Sequence, residues 1–324
     1  MKPSTSLIRS LWVVLLAASS CAYAAEEKSC NLHPVASIDL IFGDSGPIMV
    51  PVTIEGHDLT MLLDTSTPMT WISEGASSQL ALHSQPVSGY ATWQIGGARI
   101  QRYLHVEGLK LGTSRFKEVD VGVNPLQKTW SAAEPAGVVG MPTIGAFDVD
   151  LDLAHHKLNL ISTDHCPGKV VYWADAYQSI PMRLAPTGVY YFPMELNGRK
   201  IESVLSTGDP MTDLPADVSR EVFNVDSNSP DVEIDKVADG SEGAVYKAME
   251  LTSAAGALKI LNARVRLITI KHCPLQKEGG VVAYGAGCIG GAPLRLGFNV
   301  VSKLHLYLAT KEKMLYFTSA DAHH

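Results

Sequence analysis

The chain has 324 residues, 46% of them hydrophobic and 18% charged, with a formal net charge of −7. That length accommodates two domains of ordinary size, each with its own core. The acidity is not interrupted by any Lys/Arg cluster, which argues against nucleic acid or an anionic membrane as a partner.

Lys2 and Arg9, an apolar run from Leu11 to Ala18, and Ala22-Tyr23-Ala24 form a signal-peptide pattern. Residues 1–24 are therefore expected to be removed after Ala24, delivering the protein to the periplasm or the exterior. The apolar run of about 8 to 10 residues falls short of the roughly 20 that a spanning helix needs. A second reading takes Ala18-Ser19-Ser20-Cys21 as a weak lipoprotein box, with acylated Cys21 as a membrane anchor. No later apolar run reaches spanning length, so the mature chain is expected to be a soluble monomer.

Beyond the signal, Gly43-Asp44-Ser45-Gly46-Pro47 has the letters of a serine-protease nucleophile loop, but only His33 precedes it. It reads as a turn into the first main strand. Residues 48–73 and 190–215 then align without a gap: Pro51 with Pro193, Gly56 with Gly198, Leu63 with Leu205, Thr65 with Thr207, and Pro68-Met69-Thr70 with Pro210-Met211-Thr212. Each copy predicts a β-hairpin. Val50, Val52 and Ile54 alternate on a strand, Glu55-Gly56 or Asn197-Gly198 makes the turn, and a return strand runs into Asp64-Thr65-Ser66 or Ser206-Thr207-Gly208.

Further along, strand-like sequence fills residues 97–123 and 245–270, and short helices are expected over 75–82 and 216–223. Each copy closes similarly. Gly137-Val138-Val139-Gly140 and Gly287-Cys288-Ile289-Gly290 bracket apolar pairs, and a hairpin follows each, over 149–161 and 304–318. The letters Gly285-Ala286-Gly287-Cys288-Ile289-Gly290 also fit a dinucleotide fingerprint, but Pro293 follows and no amphipathic helix begins there. No cofactor is expected. The pattern predicts an all-β chain of two lobes, 25–168 and 169–324, divided at Cys166-Pro167-Gly168.

Four cysteines remain after export: Cys30, Cys166, Cys273 and Cys288. They allow three pairings; Cys30 with Cys166 and Cys273 with Cys288 would close each bridge within one lobe. His165-Cys166 and His272-Cys273 lack the close partners of a structural zinc site, and no motif points to a metal. His155-His156 and His323-His324 read as a solvated turn and tail.

Leu62-Leu63-Asp64-Thr65-Ser66, followed by Gly-Val-Val-Gly and an Asp-Leu-Asp-Leu hairpin, resembles one lobe of a retropepsin-like (pepsin-like) aspartic protease, and the second copy resembles the other lobe. The resemblance covers most of residues 45–320. It implies a two-lobe β-barrel fold with a central cleft, in which an extended peptide pairs by main-chain hydrogen bonds beneath hairpin flaps. Residues 90–94, with Trp93 as an aromatic cover, and residues 238–246 are the flap candidates; Ser66 and Gly208 would lie near the substrate. It also implies that each lobe supplies one aspartate, the two sharing a proton and holding the attacking water. Asp64 fills the first place and Ser206 the second.

A serine hydroxyl does not titrate near neutral pH, so the resemblance implies a peptide-binding cleft whose catalysis is impaired. The alternative is an active or residually active aspartic endopeptidase using Asp64 with Ser206 or Asp209 and a water. Asp209 is the weaker candidate, because a shift of three residues around a tight loop is expected to aim its side chain elsewhere. Thr65 and Thr207, kept in both copies, are expected to clamp the two loops together.

Overall fold

A computed structural model describes residues 30–322 except 44–45, 88–93, 96–97, 237–241, 254–258, 270–274, 279 and 285–291. The signal segment, Cys21, Trp93, Cys273, Cys288 and the Gly287–Cys288–Ile289–Gly290 motif lie outside the described residues, as do the tips of both flap candidates.

The fold is mainly β, built on three large sheets. One ten-stranded sheet holds strands between Ile41 and Gly140, and a second holds strands between Arg183 and Leu296. A six-stranded sheet joins the two sets, in the order Pro34–Asp39, Lys157–Ile161, Asp148–Asp152, Leu304–Ala309, Met314–Ser319, Gln178–Pro181. At its centre the two closing hairpins pair antiparallel, with Leu151 opposite Leu306.

The repeated hairpins form for the reason their sequence suggests. Strand Ile48–Ile54 alternates buried and less buried positions, and its turn residues Glu55 and Gly56 have φ of 49° and 85°. Asn197 and Gly198 have φ of 47° and 72° in the second copy. Two successive positive φ values suit the right-handed twist of the flanking strands, and Asn-Gly is the sequence best able to adopt them. The return strands bury Leu59, Met61 and Leu63 in one copy and Ile201, Val204 and Leu205 in the other, within one continuous apolar cluster. Each fully buried side chain of this size contributes roughly 1.5–3 kcal/mol. The expected helices are short: Glu74–Gln79, capped by Ser73 Oγ accepting from Ala76 N at 3.0 Å, and Ala216–Val218 running into a wider turn at Ser219–Phe223.

The central strand Asp148–Asp152 carries aspartates where apolar residues would be ordinary, and Asp148 and Asp150 are fully buried. Buried charge must be paired. His165 Nε2 lies 2.5 Å from Asp148 Oδ2, and Thr310 N donates to Asp148 Oδ1 at 2.8 Å. Asp150 faces His305 Nε2 at 2.7 Å and accepts from Asn159 at 2.9 Å and from Tyr172 at 2.5 Å. Cys166, beside His165, is disulfide-bonded to Cys30, so it belongs to a bridge and not to a zinc site. Among the described residues no helix is long and apolar enough to cross a membrane.

Candidate functional site

Each hairpin's return strand ends beside a glycine. In the first copy, strand Gly137–Gly140 runs parallel to His57–Asp64, with Val139 beside Leu63 and Gly140 beside Asp64. In the second, the strand in that place is Leu294–Leu296, with Leu296 beside Leu205, so Gly297 follows as Gly140 does. The glycine pattern in the sequence points to Gly287–Gly290 as this counterpart, whereas the strand pairing puts it at Leu294-Arg295-Leu296-Gly297. Gly140 N donates to Thr70 Oγ1 at 3.0 Å, and Gly297 N donates to Thr212 Oγ1 at 3.1 Å. A Cβ at Gly140 would lie 2.4 Å from Met69 O, and one at Gly297 2.1 Å from Met211 O, so neither position admits a side chain. Arg295 therefore occupies the position that Val138 holds in the first copy.

The two loops meet. Thr65 Oγ1 donates to Leu205 O at 2.7 Å, Thr207 Oγ1 donates to Leu63 O at 2.6 Å, and Thr65 N donates to Thr207 Oγ1 at 3.2 Å. Both threonines are buried, and these bonds tie the backbone of each copy to the other's loop. Gly208 sits against Asp64, where a Cβ would approach Asp64 Cβ to 2.8 Å.

Asp64 is 8% exposed and Ser206 fully buried. Asp64 Oδ1 accepts from Ser66 N at 2.9 Å, Ser66 Oγ at 2.9 Å and Ser206 Oγ at 3.3 Å. Its Oδ2 accepts from Thr67 Oγ1 at 2.5 Å, with Ser66 Oγ also at 3.1 Å. A carboxylate offers about four acceptor sites; Ser66 N, Ser66 Oγ and Thr67 Oγ1 occupy three, and the single Ser206 proton lies between Asp64 and the nearer Asp209.

Asp209 does not point elsewhere: its Oδ2 accepts from Ser206 Oγ at 2.7 Å. The reason lies in the loop. Thr67 N donates to Asp64 O at 3.2 Å, a turn that brings the third following side chain back over the first, and Asp209 is the repeat counterpart of Thr67. The same Oδ2 pairs with Arg295 Nη2 at 2.6 Å. That nitrogen also lies 3.0 Å from Ser66 Oγ and 3.4 Å from Ser206 Oγ, so one cation touches residues of both loops. Burial works against the Arg295 charge, but the nearby carboxylates of Asp209, Asp64 and Asp213 outweigh it and raise its pKa above the ordinary arginine value. Arg295 Nε is buried and finds no acceptor among the described residues.

Behind this group, Asp213 is 4% exposed and held by a two-pronged contact from Arg266, Nε at 2.7 Å and Nη2 at 2.8 Å. Burial raises the Asp213 pKa above the usual carboxylate value, and the Arg266 bonds oppose that rise. Sequence reasoning missed Arg295 and Arg266. The available signal was a charge set inside an apolar strand, Leu294-Arg295-Leu296, with Asp209 and Asp213 upstream to match it. The described residues contain no cluster of His, Cys, Asp and Glu that could hold a metal ion.

Residues 50–143 match the family model described as aspartyl protease. No curated protein matches the chain. Among solved structures, an aspartic proteinase from Irpex lacteus is similar over 88% of this chain and 97% of its own, at 10% identity and a TM-score of 0.53. Conglutin gamma, a basic 7S globulin from lupine seeds, is similar over 89% of this chain and 95% of its own (12% identity, TM-score 0.47). The basic 7S globulin from soybean is similar over 90% and 96% (13% identity, TM-score 0.47).

Proposed function

In a chain of an aspartic-protease-like family with the fold of an aspartic proteinase, the activity turns on the second aspartate position, and we propose that this protein binds an extended peptide without cutting it. The observation that carries this reading is Ser206 at the second position, donating to Asp209 while Asp209 is paired with Arg295. Peptide hydrolysis by this fold needs two carboxyls that share a proton and hold a water. Asp64 has one carboxyl, most of its acceptor capacity is taken by Ser66 N, Ser66 Oγ and Thr67 Oγ1, and its neighbour across the loop is a hydroxyl that donates to Asp209. Loss of one member of an acid–base pair costs about two to four orders of magnitude in rate.

The ligand would lie between the lobes 25–168 and 169–324, paired through its main chain to strand edges and covered by the hairpins near residues 90–94 and 238–246. The protein would work as an exported monomer, after loss of residues 1–24, in an oxidising compartment suited to the Cys30–Cys166 bond. A second reading, residual endopeptidase activity, draws on one contact: Ser206 Oγ bridges Asp64 at 3.3 Å and Asp209 at 2.7 Å, a route by which the two carboxylates could act through a hydroxyl.

The test is a diverse peptide library incubated with the purified exported chain between pH 3 and 8, scored for cleavage and for retention on the immobilised protein. Retention without cleavage is expected. Cleavage that disappears in both Asp64→Ala and Asp209→Ala would establish the second reading.

A further inference from the structure

The pseudo-symmetry of the two loops allows the site to be compared with itself. Asp64, Thr67 and Val138 in the first copy correspond to Ser206, Asp209 and Arg295 in the second. The three replacements are in mutual contact: Ser206 Oγ donates to Asp209, and Arg295 Nη2 reaches Asp209 and Ser206. The cation also reaches across to Ser66, whose hydroxyl already donates to Asp64. No single replacement is self-sufficient. Arg295 without Asp209 is a partly exposed cation left among hydroxyls, and Asp209 without Arg295 is a partly buried carboxylate joined to Asp64 only through Ser206.

We propose that Arg295 is the specificity-determining residue of this site: paired with Asp209 and standing beside Ser206, which holds the second carboxyl's place, its guanidinium leaves a site that accepts the planar amide of a peptide and gives no advantage to a tetrahedral, hydroxyl-bearing centre. The inference rests on the reading of the site as a peptide-binding place. Two carboxyls that share a proton offer a hydroxyl both a donor and an acceptor, which is how such a site favours the tetrahedral state. Here Ser66 Oγ is committed to Asp64, and Ser206 Oγ and Arg295 Nη2 to Asp209. Charge-assisted bonds of this kind are about twice as strong as neutral ones, so a ligand hydroxyl that displaced Ser206 Oγ or Arg295 Nη2 from Asp209 would lose as strong a bond as it gained. Replacing Ser206 alone with aspartate would set a new carboxyl within reach of Arg295, which would pair with it and withhold it from a shared proton.

The experiment compares retention of two matched pools of blocked octapeptides, identical except that one has its central amide replaced by a hydroxyl-bearing tetrahedral carbon. The exported chain is used as wild type, as Ser206→Asp, as Asp209→Thr/Arg295→Val, which restores the first copy's pair, and as the triple variant. Wild type, Ser206→Asp and the double variant are expected to retain both pools equally, within threefold. The triple variant is expected to favour the hydroxyl pool at least tenfold at pH 4 to 5. A preference appearing in Ser206→Asp alone would overturn the proposal, as would a triple variant of unchanged thermal midpoint without it. If the triple variant does not fold, Ser206→Asp/Arg295→Gln, which removes the charge but keeps the shape, carries the same expectation and the same refutation. Failure of wild type to retain either pool would refute peptide binding, while the pool preference of the triple variant would still decide the role of Arg295.

Discussion

Replacing Thr207 with valine should destabilise the protein more than the same change at Thr65, although the residues are symmetry counterparts. Thr207 Oγ1 both donates to Leu63 O at 2.6 Å and accepts from Thr65 N at 3.2 Å. Thr65 Oγ1 makes one bond of this set, to Leu205 O at 2.7 Å. Valine keeps the branched shape but has no hydroxyl, so little cavity forms and the loss is one of hydrogen bonding. A buried polar group deprived of its partner costs about 1–3 kcal/mol. Thr207→Val deprives two and should cost about 2–6 kcal/mol; Thr65→Val deprives one and should cost about 1–3 kcal/mol. Urea unfolding followed by far-UV circular dichroism, with the slope checked for constancy, measures both. If Thr65→Val proved the more damaging, or if each change cost under about 1 kcal/mol, the bonds would not be the clamp that the geometry describes.

Three further outcomes are expected. Gly208→Ala should cost about 1–3 kcal/mol by thermal melting, because its Cβ would come within 2.8 Å of Asp64 Cβ and one of the two must move. Cys30→Ser/Cys166→Ser should lower stability by about 2–4 kcal/mol, towards a chain-entropy ceiling of about 5 kcal/mol for so long a loop; the sequence separation is 136 residues, and urea midpoints with and without reductant give the comparison. Asp213→Asn should alter the pH dependence. Burial raises the Asp213 pKa in the fold, so the folded state holds this proton more tightly than the unfolded chain. The group's contribution is full below the unfolded value and is lost as pH rises through the folded one. The difference in unfolding free energy, variant minus wild type, should therefore increase as pH rises above about 4 and then level off; a flat difference would count against it.

Much of the fold was legible because its signals are backbone rules. Glu55-Gly56 and Asn197-Gly198 demand a tight hairpin, and the gapless repeat fixed which strands correspond. The Cys30–Cys166 bond joins two of the cysteines that sequence alone could pair in three ways. The site was harder to read. A four-residue glycine pattern pointed to Gly287–Gly290, yet the strand beside Arg199–Leu205 keeps only the second glycine, Gly297, where Met211 O leaves no room for a Cβ. The counterpart of Gly137 is Leu294, so only half of the glycine pattern survives in the second copy, and a complete pattern seven residues upstream masks the strand that carries Arg295. Asp209 was placed by residue count, whereas the turn that returns Thr67 to Asp64 returns Asp209 to Ser206.

The clamp and the charges answer to different constraints. Thr65 and Thr207 bond to backbone carbonyls, Leu205 O and Leu63 O, which stay in place whatever side chains surround them. Gly46 and Gly188, counterparts at positive φ, likewise pack on the opposite copy's short helices, against Phe298 and against Pro142. Contacts of this kind hold two lobes at one angle without reference to the chemistry between them. The side chains at positions 206, 209 and 295 bond to one another, and those of Ser206 and Arg295 reach Asp64 and Ser66 in the other loop, so they can change as a set while the lobes stay docked. A site of this design can lose the acid pair and keep its shape, which is the condition a non-cutting peptide binder requires.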